Sequence, residues 1–588
     1  MKKIFFISLA CFLMASCSKD DNHIIPMDTM DEGFKYYLLA HFDLNKDGLL
    51  SVEEAAKVTE INTNGITIYS LEGIGNFPNL EKLVCANSYI TTLDLKGLPN
   101  LKILNCSFSW INSIDVSQNQ KLKVINCGYC AIEELDVSNN HELDTLNVKN
   151  YYLYKDGKLK SFKLNPELKV LDMEGHGLAM LDFSGNQYLK ELSCDGENLI
   201  YLDVSRSALE VLNCLGRSNL SAVNVEGCTK LKRLSCAGIP NLIDCQSLEE
   251  LEVSGTGDLD VSHCPLLKTF YGYNAHLIDI DLSHNPVLFE FNLNSSAIEK
   301  IDFGNNLQLV NFEMLYSSIS ENLDFSNCKT LKSISINSSH YFVPNLTEIN
   351  LSGCTSLETA TIAGRESGGE IQMLKITGCT ALSTLDCSGS RLSELNLAGC
   401  TNLETLTCSS NRILTVLDIA DCAKLTALYC NNNSLAALKL NNENLSQIDC
   451  RNNALTEIDV TNLTKLKELD CSYNRLASLD LSGCNSLEVL ACNNNRATSM
   501  DIKDCRSLKN IDCQNNLLTA LDVFNSTALT TFNCSGNDLQ PSLDVSKNTA
   551  LTALDCRNNS NLKELIVKRN STIQTLQKDA GTQLVFVD

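Results

Sequence analysis

Hydrophobic residues return along this chain at a fixed interval. From Leu80 the text settles into units of about 21 residues with the consensus LxxLxCxxNxLxxLDLSxCxx. Unit starts fall at Leu80, Leu101, Leu122, Leu143, Leu168, Leu189 and onward to Leu551, about 23 units, with a partial one at Ile573. Such a unit has one apolar face that it cannot bury alone. Stacking buries the faces continuously, so the pattern predicts a solenoid. Agreement weakens between Leu248 and Ala381. Ahead of the repeats the period changes. Phe34 to Phe42 follow a helical pattern, a polar loop runs from Asp43 to Glu54, and a second helical stretch follows.

Most of the 28 cysteines obey the repeat. One row holds the sixth position: Cys85, Cys106, Cys127, Cys194, Cys214 and Cys236, then Cys387, Cys408, Cys430, Cys450, Cys471, Cys492, Cys513, Cys534 and Cys556. Units without cysteine there carry Val148, Met173, Val253, Gly272, Leu293, Met314, Ile336 or Ile362. Apart from Gly272 these are plain hydrophobes, and a free thiol behaves as a small one. Neighbouring rungs would hold Cβ atoms about 4.8 Å apart, whereas a disulfide wants about 3.8 Å. Zinc needs four converging ligands, which a straight row does not supply. The row is therefore expected to consist of reduced, packing thiols.

A second row, at the nineteenth position, alternates Cys228, Cys264, Cys328, Cys354, Cys379, Cys400, Cys422, Cys484 and Cys505 with Asn119, Asn140, Asn186, Asn285, Asn306, Asn548 or Asn570. That exchange suits a turn whose inward side chain meets backbone groups. The ninth position carries Asn411, Asn433, Asn453, Asn474, Asn495, Asn516, Asn537 and Asn559, expected to satisfy backbone groups the bend leaves unpaired. Cys130 replaces one of these and forms CGYC with Cys127, but both are scaffold positions.

This text resembles the leucine-rich repeats of internalin-like bacterial surface proteins, in particular the cysteine-bearing internalin J type, over residues 80 to 572. The resemblance implies a right-handed superhelix with a concave parallel sheet. The expected fold class is a β-dominated solenoid of α/β type behind a small helical cap. The expected division is 1–16 signal, 17–30 lipidated tether, 31–79 EF-hand-like cap, 80–572 solenoid and 573–588 terminal cap strand.

Lys2 and Lys3 precede an apolar run, Ile4 to Met14, too short to span a bilayer, and it ends in Ala15-Ser16-Cys17. This resembles a bacterial lipoprotein signal, which implies lipidation of Cys17. Lys19-Asp20-Asp21 is similar to the tag that sends lipoproteins to the outer surface in the Bacteroidota. The chain is thus expected on the outer membrane, at the cell surface, held by lipid only. A formal charge of −24 argues against nucleic acid and against electrostatic docking on anionic lipid. With 44% apolar and 20% charged residues, the chain forms cores and is not an acidic disordered one.

The loop from Asp43 to Glu54 fits the EF-hand text D-x-[DN]-x-[DN]-G-x₅-E. Asp43, Asn45 and Asp47 supply side-chain oxygens and Leu49 its carbonyl. Ser51 holds the ninth place, and Glu54 suits bidentate binding. The expected cofactor is one structural Ca²⁺ fixing the cap against the first coil.

With scaffold positions assigned, recognition falls to the third, fifth, seventh and eighth places of each unit. Candidates near the start are Phe108, Trp110 and Tyr129, with Tyr151 and Tyr152 in an insertion. A middle group comprises Tyr271, Tyr273, Glu290, Asn292 and Tyr316, with His340 and Tyr341 in a second insertion. Asp386, Asp449, Asp470, Asp512 and Asp555 form an acidic row that reads as a solvated face or a cation-binding one. Histidines are scattered and neither HExxH nor GxSxG occurs, so no enzyme is expected. The resemblance implies a monomer that binds an extracellular or host protein or glycan, as adhesins do. A structural envelope spacer, or a glycan-binding component of a nutrient-uptake system, are the alternatives.

Overall fold

The computed structural model describes residues 24–588 apart from 151–158, 217–218, 221, 305, 338–345, 365–370 and 441. Cys17, Tyr151, Tyr152, His340 and Tyr341 lie outside the described residues, as does the signal segment. Two compact units divide the chain. One holds the described residues up to Leu202 with Ser207–Asn219; the other holds Asp203–Arg206 with Leu220–Asp588.

Each unit is a parallel β-solenoid, with about 24 turns between them. In the first unit the main sheet begins at Glu60–Asn62 and continues through Lys82–Val84, Ile103–Asn105 and Val124–Asn126. It then passes through Thr145–Asn147, Val170–Asp172 and Glu191–Ser193 to Val211–Cys214. In the second unit it runs from Arg233–Cys236 to Thr575–Gln577 in the same manner. Fourth-position residues stack on one another, as Leu83, Leu104 and Ile125 do. All three are fully buried, and a one-residue slip would turn each of them out to solvent.

Two boundaries differ from the sequence reading. The first rung, Glu60–Asn62, lies within the stretch assigned to the helical cap, because Ile61, Ile68, Leu71 and Phe77 bury as a coil of their own. The terminal segment is two strands, Thr575–Gln577 and Gln583–Val587, each pairing with a different strand of the preceding coil. The weakly matching middle is also regular. Its strands lengthen to Thr269–Tyr273, Glu290–Asn294, Asn311–Leu315, Ser333–Asn337 and Thr359–Ala363, all in register. There Phe270, Phe291 and Phe312 stack at 4.8 and 5.6 Å between centroids. Gly272 is the exception among sixth positions because a Cβ would lie 2.7 Å from Leu293 Cδ2.

Every cysteine among the described residues is buried and none is bridged to another. Burial pushes the Cys408 thiol up to about 12 and Cys85 likewise, far from the reactive thiolate range. The two polar rows differ in their hydrogen bonding. At the ninth position, Asn474 Nδ2 donates to the carbonyls of Cys450 (3.0 Å) and Cys471 (3.1 Å), while its Oδ1 accepts from Leu455 N at 3.0 Å. Asn495, Asn516, Asn537 and Asn559 repeat this arrangement, so both ends of each amide are used.

At the nineteenth position Asn119, Asn140, Asn285 and Asn548 use only the donor, whereas Asn186 and Asn306 accept from the backbone two residues on. Asn548 Nδ2 bonds the carbonyls of Val523 and Ser526, while its buried Oδ1 has no partner, as is true of Asn119, Asn140 and Asn285. A thiol supplies the donor without the orphaned acceptor: Cys484 Sγ donates to Val460 O at 3.1 Å and Cys354 Sγ to Phe325 O at 3.2 Å. That difference explains why cysteine exchanges with asparagine in one row and rarely in the other. Cys245, unassigned in the sequence reading, makes the same contact to Val225 O at 3.4 Å.

Asn474→Ala is expected to lower stability by roughly 2–4 kcal/mol in urea melts, whereas Asn548→Cys should cost less than about 1 kcal/mol. Equal losses would refute the distinction between the rows. Iodoacetamide applied to the native protein should leave Cys408 and Cys471 unmodified and alkylate them only in denaturant, as mass spectrometry would show.

Candidate ligand-binding face

The fifth position of each coil does two things at once. Asn105 Oδ1 accepts from Ser107 N (3.1 Å) and Asn126 Oδ1 from Gly128 N (3.2 Å). In the second unit Asp386, Asp449, Asp470, Asp512 and Asp555 accept in the same way from residues two further on. One oxygen therefore holds the turn and fixes the side chain, and the other atom faces outward. Asn105 and Asn126 thus show amide donors and Asp386 and Asp555 carboxylates, while Asp172 and Asn533 carry each kind into the other unit.

Much of that acidity is answered. Arg557 Nη2 lies 2.7 Å from Asp555 Oδ2, and Arg451 lies near both Asp449 and Asp470. Asp512 Oδ2 accepts from Asn493 and Gln514. Burial pushes the Asp449 carboxyl up, whereas bonding to Arg557 pulls that of Asp555 down. These acids build the scaffold, and the row is not an open cation site. A trough of about 340 Å³ over Asp512, Asn533, Asp555 and Gln577 also escaped the sequence reading.

The seventh position is not available in several coils with three-residue strands. Ala86, Ser107 and Ser472 are buried there, because the bend begins at that residue. The eighth position is exposed and left-handed. Asn87, Asn452 and Asn494, with Gly175, Gly389 and Gly536, occupy it in coils where nothing else is asked of it. Phe108 (φ 56°), Tyr129 (φ 61°), Tyr316 (φ 50°) and Tyr473 (φ 53°) take it instead. A bulky residue is costly in that conformation, and such strain is characteristic of functional positions.

The initial aromatic group is larger than the sequence suggested. Phe108 and Tyr129 stack at 4.2 Å between centroids, while Tyr69 stacks on Tyr89 at 5.2 Å and Tyr89 meets Trp110 at 6.1 Å. Trp110 is 64% exposed. Stacked rings spend their inner faces on one another, so they offer edges and outer faces to a partner. Tyr69 and Tyr89 went unseen because the coil containing Tyr69 precedes the legible repeat. The one-unit spacing from Tyr89 to Trp110 is the signal that marks them.

In the middle group the register is explicit. Glu250, Thr269, Glu290 and Asn311 form one outward row, and Glu252, Tyr271, Asn292 and Glu313 the next. Tyr273 is exposed beyond them. Asn292 Nδ2 donates to Glu290 Oε1 at 3.0 Å, and Ser235 Oγ to Glu252 Oε2 at 2.9 Å. The sequence reading missed Glu250, Glu252 and Thr269, which only the register brings beside the tyrosines.

The cap comprises α1 (Glu32–Phe42) and α2 (Val52–Ala55), the latter a single turn where a longer helical stretch was expected. Between them Gly48 is left-handed at φ 82°, with nothing near its missing Cβ. Asp43 Oδ1 accepts from Lys46 N and Asp47 N, and its Oδ2 from Gly48 N. Glu54 reaches back across the loop: Oε1 accepts from Leu44 N, and Oε2 from Ser51 N and Oγ. Bonds from Ser51 pull the Glu54 carboxyl down to about 2. Among the described residues no three His, Cys, Asp or Glu side chains are arranged to hold a metal ion. No helix among them is long and apolar enough to cross a membrane.

No protein-family model and no curated protein matches the chain. Among solved structures it is similar to the functional domain of InlJ from Listeria monocytogenes, which includes a cysteine ladder. Identity there is 21% over 78% of each chain, with a TM-score of 0.33. It is similar to YopM from Yersinia enterocolitica WA-314 at 20% identity over 78% of this chain and 91% of that one, with a TM-score of 0.44. A TLR13–ssRNA13 complex is similar at 17% identity over 88% of this chain and 93% of that one, with a TM-score of 0.32. Leucine-rich coils, a one-unit parallel register and rows of cysteine make this a parallel leucine-rich-repeat solenoid.

Proposed function

We propose that this protein is a lipid-anchored, surface-displayed binding module that recognises an extracellular protein or glycan on the outward face of its main sheet. The observation that carries the reading is the set of aromatic residues at the left-handed eighth position. Phe108, Tyr129 and Tyr316 stand where asparagine or glycine would serve the fold better. The fifth-position side chains beside them are already held in one orientation, so little ordering is lost on binding. Cys17 would carry the lipid, and no catalytic residue is assigned.

Calcium belongs to the same reading. Asp43, Asn45, Asp47, Ser51 and Glu54, with the Leu49 carbonyl, are hard oxygen donors on a tight glycine turn, which suits Ca²⁺. The ion would supply charge neutralisation for Asp43, Asp47 and Glu54, the carboxylates of one loop. Leu50 is buried beneath the loop, and its carbonyl accepts from Ile25 N, so anything that stiffens the loop also holds the chain entering the cap.

Screening the ectodomain, residues 18 to 588, against glycans and matrix proteins should return a ligand. Tyr316→Asn and Phe108→Asn should weaken its capture while leaving the melting temperature equal or higher, since each relieves a strained φ. Loss of stability with unchanged capture would reverse the assignment.

The cap should melt higher in Ca²⁺ than in chelator, and Asp43→Ala should abolish the difference. In chelator, Glu54 contributes stability that is complete above its usual 4.5 and lost as pH falls towards about 2. Hydrogen exchange of α1 amides should quicken over that window in the native protein and stay flat in Glu54→Gln.

A further inference from the structure

Ionic pairing between neighbouring coils is the habit of this molecule. Glu60 pairs with Lys82, Glu81 with Lys102, Asp144 with Lys169, Glu249 with Lys268 and Glu488 with Lys509. The middle of the second unit departs from it. Glu250, Glu252, Glu290 and Glu313 lie on three of four successive strands of one outward face, and among the described residues none of them is in an ion pair. Arg233 stands in register with Glu250 and does not pair with it.

A second, independent feature lies inside this group. Thr269 sits in the outward row between Glu250 and Glu290, yet it is only 9% exposed, and its Oγ1 has no hydrogen-bond partner. A hydroxyl so buried ordinarily finds one, and leaving it unpaired costs about 1–3 kcal/mol. Tyr271 lies beside it, half-buried, its phenol pushed up from the usual value by burial first and then by Glu290, Glu250 and Glu252. Tyr273, 51% exposed, extends the aromatic surface along the same strand.

Carboxylates without an ionic partner around aromatic rings, with an unsatisfied hydroxyl among them, are complementary to a group that is cationic, donates hydrogen bonds and tolerates a π face. Ammonium and guanidinium have those properties. Resting on the binding-module reading above, we infer that the Glu250–Glu252–Thr269–Tyr271–Glu290–Glu313 face takes lysine or arginine side chains of a basic polypeptide segment laid across the coils. Glu250 and Glu290 are two coils apart, about 10 Å, so successive outward side chains of an extended segment reach more than one carboxylate. Thr269 Oγ1 accepts one of the donated hydrogen bonds, and Tyr271 and Tyr273 lie against the aliphatic stems.

The test is fluorescence anisotropy of labelled oligolysine and oligoarginine against the full ectodomain at fixed ionic strength, with oligoglutamate as the blank. Binding of the basic peptides is expected, and Glu290→Gln with Glu313→Gln should weaken it about tenfold. Glu404→Gln with Glu457→Gln, equal in charge change and outside this face, should alter it less than about twofold. Thr269→Val changes no charge, so a several-fold loss from it reports the site and not the overall field. Unchanged melting temperatures in all variants exclude misfolding as the cause. Equal losses from both glutamine pairs, or no loss from Thr269→Val, would overturn the inference. Capture of a glycan or neutral protein unaffected by Glu290→Gln with Glu313→Gln would overturn it too, leaving the binding-module reading intact. Absence of every ligand would remove both.

Discussion

The constraint on which everything else rests is the step from one coil to the next. A parallel, in-register sheet places each side chain about 4.8 Å from its own counterpart in the neighbouring unit. A choice at one position is therefore a choice about a whole row. Leucine at the fourth place meets leucine, phenylalanine meets phenylalanine at Phe270, Phe291 and Phe312, and the Asn474 amide bridges its own coil to the one before. Rows that repeat well can be long, and rows that repeat badly must be broken. Like charges repeat badly, which is why glutamates on most coils face a lysine on the next.

The same constraint decided what could be read without coordinates. The solenoid and its core were legible because Leu469, Cys471 and Asn474 recur with their roles intact and burial enforces the spacing. The first coil was not, since Ile61, Thr63 and Ile68 bury properly without spelling the leucine text. Nor was the regularity of the middle, where a phenylalanine stack and five-residue strands replace thiols and short ones. The candidate face was half legible. Exposure of Phe108, Trp110 and Tyr316 followed from their positions, but the left-handed backbone beneath two of them did not. Glu250 and Thr269 looked unconnected with Tyr271 until the register joined them. The acidic row was misleading for a physical reason: one oxygen of each Asp is committed to its own turn, so a series that reads as surface charge is partly backbone satisfaction.

That commitment shapes recognition as well. A fifth-position Asn or Asp cannot swing, because losing the bond to the turn would leave an amide unpaired. Different coils therefore present fixed and different chemistry from the same device, amide donors from Asn105 and Asn126 and carboxylates from Asp386 or Asp555. Exchanging Asn for Asp recolours the face without disturbing the fold, so specificity on this scaffold can change one coil at a time. The left-handed eighth position works in the opposite sense. An aromatic there costs stability, where asparagine or glycine would not.

The thiol rows raise a question of their own in a protein expected outside the cell, where thiols oxidise. Reaction needs a thiolate and access, and a solenoid gives access first at its ends, where coils fray. The sixth-position row is finished accordingly. Thr63 holds that place in the first coil, fully buried, ahead of Cys85. Lys578 holds it in the last described coil, beyond Cys556, with its ammonium bonded to the carbonyls of Asp579 and Thr582. Cys556 N in turn donates to Gln577 O, so that coil must open before the outermost thiol is reached. A hydroxyl and an ammonium, neither of which oxidises as a thiol does, flank the row on the first and last described coils. The thiols between them are buried and act as small hydrophobes.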